Sequence, residues 1–420
     1  MDKLVIEGGR QLKGEVKISG AKNSVLPIMA ATLLTDETCI LRNIPKLRDI
    51  STMVKLLRSL GKNVEVEQDK LIISAKGALS HVADYKLVST MRGSFCVLGP
   101  LLAKLKKAKV SLPGGCVIGI RPVDLHIKGI QALGAKVDFE SGYVTAETKE
   151  LKGGQVYLGG VFGSSVLATA NVMMAATLAS GKTIIESAAC EPEVEDLAKF
   201  LTAMGARIDG QGSPRITIFG VKRLHGADYS VIPDRIEAGT FILMAAATRS
   251  NITLKNVHCN HLLSLFDKLE EAGLGIETGS NYLKVKCERN LKPVSLSTYP
   301  YPGFPTDLQA QFMALMAIVP GVSVITDKVY PDRFMHIAEL NRMGAQIRRE
   351  GSSAIVEGKK PLFGAPVMAS DLRASAALVL AGLAAKGRTE IHRIYHLERG
   401  YDNLDEKLKK LGAKIYREKE

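Results

Sequence analysis

Tryptophan is absent from this 420-residue chain, and aromatic residues of every kind make up only 5% of it. No segment interleaves basic and aromatic side chains, so the stacking surface of a single-strand nucleic-acid binder is missing. The six cysteines (Cys39, Cys96, Cys116, Cys190, Cys259 and Cys287) include no CxxC pair and join no Cys/His pattern with metal-ligand spacing. Long apolar runs are missing too. The longest, 376–385, has ten residues, about half of what a bilayer requires. The opening MDKLVIEGG shows no basic-then-apolar export segment. A cytoplasmic protein with reduced thiols is the expectation.

What is abundant is apolar and basic. Hydrophobic residues make up 46% and charged residues 24%, the balance of a folded globular protein, and the length calls for two or three domains. Lys and Arg number 56 against 43 Asp and Glu, a net charge of +13. That suits an anionic partner, either nucleic acid or a phosphorylated small molecule. A cluster such as Lys104, Lys106 and Lys107 reads as a solvated face rather than a binding site.

One phrase recurs six times: LGKNV, LGAKV, MGARI, AGLGI, MGAQI and LGAKI. Its first glycines are Gly61, Gly134, Gly205, Gly273, Gly344 and Gly412, spaced 68 to 73 residues apart. Each follows an amphipathic stretch such as MVKLLRSL and precedes a β-branched run, which predicts a helix C-cap leading into a strand. Upstream lies a second stretch of small apolar residues, as in LPIMAATLL, VMMAATLA, FILMAAA and ALVLAGLAA. Being apolar nearly all round, it predicts a helix buried at a domain centre. Each repeat therefore reads strand, buried helix, strand, amphipathic helix, then one or two strands, and the fold class is α/β. After Gly412 only eight residues remain, whereas earlier repeats carry a further strand such as DKLIISAKG. DKLVIEGG at 2–9 matches the missing piece, so the N-terminal strand is expected to complete the sixth repeat. Three repeats per domain predict one domain over 22–231 and a second combining 1–21 with 232–420.

Superposing the repeats gathers charge at their loops. Arg48, Arg121 and Arg399 each stand thirteen residues before a repeat glycine, and Arg333 stands eleven before one. These are entries to amphipathic helices, where backbone N–H groups without helical partners favour anions. A second series precedes the buried helices: Lys22-Asn23, Arg92, Ser164-Ser165, Asp234-Arg235, Thr306-Asp307 and Asp371-Leu372-Arg373. So many cations with few carboxylates are costly unless anions fill the site, which points to phosphate and carboxylate ligands. Asp307 is the odd member of the series. A carboxylate among cations stays ionised at neutral pH. It is either a base or guide for a substrate hydroxyl, or the N-cap of the helix that follows.

Seven segments carry a resemblance: ISGAKN (18–23), SLPGGCVIGIRPVDLHI (111–127), PDRIEAGTF (233–241), FPTDLQAQF (304–312), RFMHIAELNRMGA (333–345), SDLRASAALVLAG (370–382) and RIYHLERGY (393–401). In this order they resemble the UDP-N-acetylglucosamine 1-carboxyvinyltransferase family, the enolpyruvyl transferases that commit bacteria to peptidoglycan synthesis. The resemblance spans the chain. It implies two inside-out α/β barrel domains, each of three repeats of about 70 residues. It also implies transfer of the enolpyruvyl group of phosphoenolpyruvate to the 3-hydroxyl of the UDP-linked sugar, with release of phosphate. Both small-molecule substrates are anionic. No metal, organic cofactor, nucleic acid or membrane is implied.

The resemblance also assigns residues by motif. Lys22, Arg121 and Arg399 would hold the phosphate and carboxylate of phosphoenolpyruvate, supported by Arg48, Asp49, Arg333 and Arg373. Asn23 would stand beside both substrates and, with Arg92 and Asp307, position the sugar. Arg121, Pro122, Val123, Asp124 and Leu125 would grip the uridine nucleotide, with Val329 lining the site. Cys116 would be the acid at C3 or aid product release; as a thiolate it would form an adduct with phosphoenolpyruvate and be alkylated by the epoxide fosfomycin. The glycines around Cys116 predict a mobile lid. One place departs from the family. Where a basic residue and Ser-Val-Gly-Ala-Thr usually stand beside the UDP phosphates, this chain reads LGGVFGSSVLATANV (158–172), with Gly163 in place of the base and Leu167 in place of the glycine. Ser164, Ser165 and Val166 are the candidates left there.

Overall fold

The computed structural model describes residues 2–114, 123–359 and 361–420. They fall into two compact units. The first is built from 20–114 and 123–232, the second from 2–19 and 233–420. The chain passes between them at 19/20 and 232/233, where the repeats suggested 21/22 and 231/232.

Among the described residues, six four-stranded sheets share one topology, three in each unit. An edge strand runs parallel to its neighbour. That neighbour pairs antiparallel with the second strand of a hairpin, whose first strand forms the far edge. In the first unit, one sheet runs Val82–Ala83, Lys107–Ser111, Tyr143–Glu147, Lys136–Glu140. In the second, Leu296–Thr298, Gly321–Asp327, Ser353–Gly358 and Ile347–Glu350 repeat the pattern. The sixth sheet departs in one respect, because its hairpin strand comes from the other end of the chain. Asp2–Glu7 lies between Arg388–His392 and Lys414–Lys419, antiparallel to both. Leu4, Val5 and Ile6 there are at most 1% exposed.

In four of these sheets the parallel strands are joined through a central helix; in the other two the parallel partner, Asp228–Ser230 or Lys13–Lys17, comes from a distant part of the chain. The central helices are buried as their composition requires. Arg235–Ala247 is buried at every position after its first, and Gln309–Met316 throughout. No polar face is left to meet water, so each must sit inside its unit with the sheets around it. The amphipathic helices bury one stripe only: Arg48–Ser59 contributes Ile50, Met53, Val54, Leu56 and Leu57 to the core. All six repeat glycines have positive φ, between 89° and 101°. Each donates its N–H to the carbonyl three residues back. In five repeats the next residue bonds to the carbonyl five back, which closes a Schellman cap. A side chain at this φ costs about 1–2 kcal/mol, which is why glycine recurs.

Candidate active site

Three aspartates precede the central helices of the second unit, and one of them is used differently. Asp234 caps its helix by accepting from the N–H groups of Ile236 and Glu237 at 2.8 and 3.0 Å. Asp371 does the same with Arg373 and Ala374 at 2.7 and 3.1 Å. Asp307 caps nothing with its side chain. It sits in a 3-10 turn, Thr306–Leu308, ahead of the helix Gln309–Met316, whose capping residue is Leu308. Its carboxylate is taken by two arginines instead: Arg333 Nη1 donates to Oδ1 at 2.7 Å and Arg373 Nη2 to Oδ2 at 2.9 Å. Of the two local possibilities raised by the sequence, the N-cap is excluded.

The guanidinium groups lie deeper than the acid. The side chains of Arg373 and Arg333 are 1% and 4% exposed, while that of Asp307 is 26% exposed and open to a ligand. Burial by itself would raise the Asp307 pKa. The positive charges of Arg373 and Arg333 outweigh it and hold the carboxyl well below its ordinary range. Arg333 Nη2 also lies 3.8 Å from Asp371 Oδ1. Nε and Nη1 of Arg373 and Nε of Arg333 are buried with no hydrogen-bond partner among the described residues. Donors in this state beside a fixed carboxylate suit an oxyanion ligand.

Asp327, which nothing in the local sequence singled out, organises the neighbouring turns. Fully buried, it accepts from Thr298 Oγ1 and Thr306 Oγ1, both at 2.7 Å, and from the N–H groups of Val329 and Tyr330 at 3.0 and 2.7 Å. It thereby ties the Asp307 turn to the turn bearing Val329. The one available signal was an acid ending a β-branched strand four residues before Pro331. Arg399 ends the 3-10 turn Ile394–Arg399 and is half-buried.

In the first unit, Lys22 opens the helix Lys22–Ala31, and its Nζ lies 3.3 Å from Asp49 Oδ2, both residues being buried. Each cluster holds a carboxylate: Asp49 faces Lys22 within the first repeat, and Asp307 faces Arg333 of its own repeat and Arg373 of the next. Asn23 is half-buried, Arg92 begins the 3-10 turn Arg92–Val97, and Arg48 is exposed at the start of its helix. Val123, Asp124 and Leu125 form the start of the helix Asp124–Ala132, with Asp124 exposed. On that helix His126 is buried against the Phe95 ring, at 5.0 Å, and Asn171, at 2.8 Å. Burial, reinforced by the charge of Arg92, lowers its pKa to about 3, so it is neutral.

Cys116, Arg121, Pro122 and the expected lid lie outside the described residues. At the stem, Gly114 approaches the carbonyl of Ser89 too closely for any Cβ, so this glycine serves a close contact. Beside the departure from the family pattern, Gly159–Gly160 and Gly163–Ser164 form a small hairpin with Val161 and Phe162 exposed at its tip. Ser165 caps the helix Val166–Ala176 by accepting from Ala168 N–H at 3.3 Å.

The family model for EPSP synthase (3-phosphoshikimate 1-carboxyvinyltransferase) matches residues 6–408. Proteins named UDP-N-acetylglucosamine 1-carboxyvinyltransferase from Methylacidiphilum infernorum and UDP-N-acetylglucosamine 1-carboxyvinyltransferase 2 from Carboxydothermus hydrogenoformans are 52% and 54% identical to it, over 99% of both chains in each comparison. The chain belongs to the UDP-N-acetylglucosamine 1-carboxyvinyltransferase family. Among solved structures, the enolpyruvyl transferase NikO from Streptomyces tendae superposes with a TM-score of 0.90 at 24% identity, covering 99% of this chain and 98% of that one. EPSP synthase from Acinetobacter baumannii gives 0.77 at 20% identity over the whole of both chains. These two show the fold, that of the enolpyruvyl transferases.

In this member of the family the five described cysteines share a trait. Burial raises the thiol pKa of Cys39, Cys96, Cys190, Cys259 and Cys287, that of Cys96 to about 12. Little thiolate exists on such groups at neutral pH, and the thiolate is the nucleophile.

Proposed function

We propose that the chain transfers the enolpyruvyl group of phosphoenolpyruvate to the 3-hydroxyl of UDP-N-acetylglucosamine and releases phosphate, the first committed step of peptidoglycan synthesis. The observation that carries this reading is Asp307, reachable at its carboxylate and backed by two buried arginines with unused donors. The name shared by the full-length relatives supports it.

Each residue then has a task. Lys22, Arg121, Arg399, Arg333 and Arg373 take the phosphate and carboxylate of phosphoenolpyruvate, with Arg48 adding charge and Asp49 holding Lys22. Asn23, Arg92 and Asp307 set the sugar; Arg121 to Leu125 and Val329 hold the nucleotide. The helix start at Ser164, Ser165 and Val166 offers backbone N–H groups to the diphosphate in place of a basic side chain. In the addition step a proton goes from Cys116 to C3 while the 3-hydroxyl oxygen bonds to C2, giving a tetrahedral intermediate. In the elimination step C3 returns a proton to the Cys116 thiolate and the bond from C2 to the phosphate oxygen breaks. The proton lost by the hydroxyl leaves with the phosphate.

Asp307, held so far below its ordinary pKa, is a weak base while both arginines face it alone. It accepts the hydroxyl's hydrogen bond and steers the oxygen. An anion bound to the same guanidinium groups offsets their charge and makes the carboxylate more basic, so its base character grows when phosphoenolpyruvate is in place. The five described cysteines are free thiols, which supports work in a reducing cytoplasm.

Phosphate release tests the reading. The purified protein is expected to release phosphate from phosphoenolpyruvate with UDP-N-acetylglucosamine and not with shikimate 3-phosphate. No release with either acceptor overturns it.

A further inference from the structure

Tyr401 lies 3% exposed in the second unit and belongs to none of the groups assigned so far. The guanidinium carbon of Arg373 stands 5.3 Å from the centroid of its ring. Its hydroxyl is fixed from two central helices: Thr240 Oγ1, on Arg235–Ala247, is 3.0 Å away, and Gln311 Nε2, on Gln309–Met316, donates to it at 3.0 Å. Thr240 already donates to the carbonyl of Ile236 at 2.8 Å, so the phenol proton goes to Thr240. Gln311 Nε2 also donates to the backbone carbonyl of Asp307 at 3.1 Å.

These contacts form a closed loop. Arg373 grips the carboxylate of Asp307, the backbone of Asp307 is held by Gln311, Gln311 holds the Tyr401 hydroxyl, and the Tyr401 ring carries Arg373. A planar guanidinium with an aromatic ring against it and a carboxylate on one edge loses the freedom to rotate or slide. Without the ring, the hydrogen bond left to the Arg373 side chain among the described residues would be the one to Asp307. Any buried tyrosine hydroxyl needs a partner; what marks this one is that its partner Gln311 also holds the backbone of Asp307.

We propose that Tyr401 is a positioning residue for the transfer: it sets the orientation in which Arg373 meets phosphoenolpyruvate and, through Arg373, that in which Asp307 meets the sugar hydroxyl. The proposal rests on the reading of Arg373 as a ligand of that substrate. Tyr401→Phe keeps the ring and frees it from Thr240 and Gln311, while Tyr401→Leu removes the ring. In steady-state phosphate release, Tyr401→Leu is expected to raise the KM for phosphoenolpyruvate about tenfold, with Tyr401→Phe between it and wild type, as loss of a buried cation–π contact predicts. The KM for UDP-N-acetylglucosamine should change less, within about twofold, because Asp307 is the one member of the network assigned to that substrate and its nucleotide is held by other residues. Paired with Arg373→Lys, Tyr401→Phe should add no further loss, the mark of two residues acting through one contact. Thr240→Val cuts the hydroxyl's anchor without touching the ring, and should reproduce Tyr401→Phe even where Tyr401→Leu fails to fold. An active wild type whose Tyr401→Phe and Thr240→Val variants keep its KM for phosphoenolpyruvate, or whose losses multiply with Arg373→Lys, overturns the inference alone. A wild type inert with both substrates overturns the functional reading and this one with it.

Discussion

Arg373 Nη2 stands 2.9 Å from Asp307 Oδ2, and the two residues are 66 positions apart in the chain. The arginine is sealed at 1% exposure while the aspartate keeps 26% of its side chain open. A carboxylate in this position is ionised at neutral pH, fixed in direction and reachable by a hydroxyl. Those properties suit a group that guides an attacking oxygen.

Asp307→Asn removes the charge and keeps the shape. Turnover is expected to fall about 10²- to 10⁴-fold, the range for loss of a general acid–base group, while UDP-N-acetylglucosamine binding by calorimetry changes little. The thermal midpoint should also drop, because two buried arginines lose their counter-charge. Unchanged turnover would remove Asp307 from the chemistry.

Alkylation by fosfomycin should occur at Cys116 and nowhere else. Burial raises the pKa of the five described thiols, which starves them of thiolate. Peptide mass mapping of wild type and Cys116→Ser reads this directly: the variant should carry no label, and a label on any other cysteine contradicts it.

Stability should depend on pH through His126. Its pKa is about 3 in the folded protein against 6.5 for an ordinary histidine. The folded value is the lower one, so the unfolded chain binds the extra proton. The contribution is fully present above 6.5 and is lost as the pH falls from there toward 3. At pH 5 one such histidine costs about 2 kcal/mol. Denaturant unfolding at pH 7 and pH 5 should show this loss in wild type and a smaller one in His126→Gln. Equal losses would mean that other groups govern the pH dependence.

Ile6→Ala opens a cavity in a strand that holds two others together. Ile6 is fully buried and pairs with Thr389 on one side and Ile415 on the other. The cost should be about 2–5 kcal/mol, read as a lower unfolding midpoint. A change below 0.5 kcal/mol, on the order of an exposed-site substitution, would show that the strand is dispensable.

Much of the architecture was legible because it is encoded locally. Helix periodicity, all-round apolar composition and glycine at a cap each depend on residues within a turn or two, so a six-fold phrase reveals a six-fold structure. The six glycines show it: every one has the positive φ that its place in the phrase demands. Even the N-terminal strand could be assigned, as the piece the sixth repeat lacked.

The site was legible in residue type but not in partnership. Asp234, Asp307 and Asp371 look alike in the repeat, and local sequence allows each to cap a helix. A single 3-10 turn decides the matter by taking Asp307 away from its helix start and leaving its carboxylate to Arg333 and Arg373. Lys22 finds Asp49 across 27 residues, and Tyr401 finds Thr240 across 161. Charge and hydrogen-bond pairing falls off within a few ångströms, and those distances are set by how central helices and turns pack. By itself the sequence determined which helices are buried and which charged residues stand at helix starts. Only the tertiary structure decided which acid answers which cation, and so which carboxylate is left to meet a substrate.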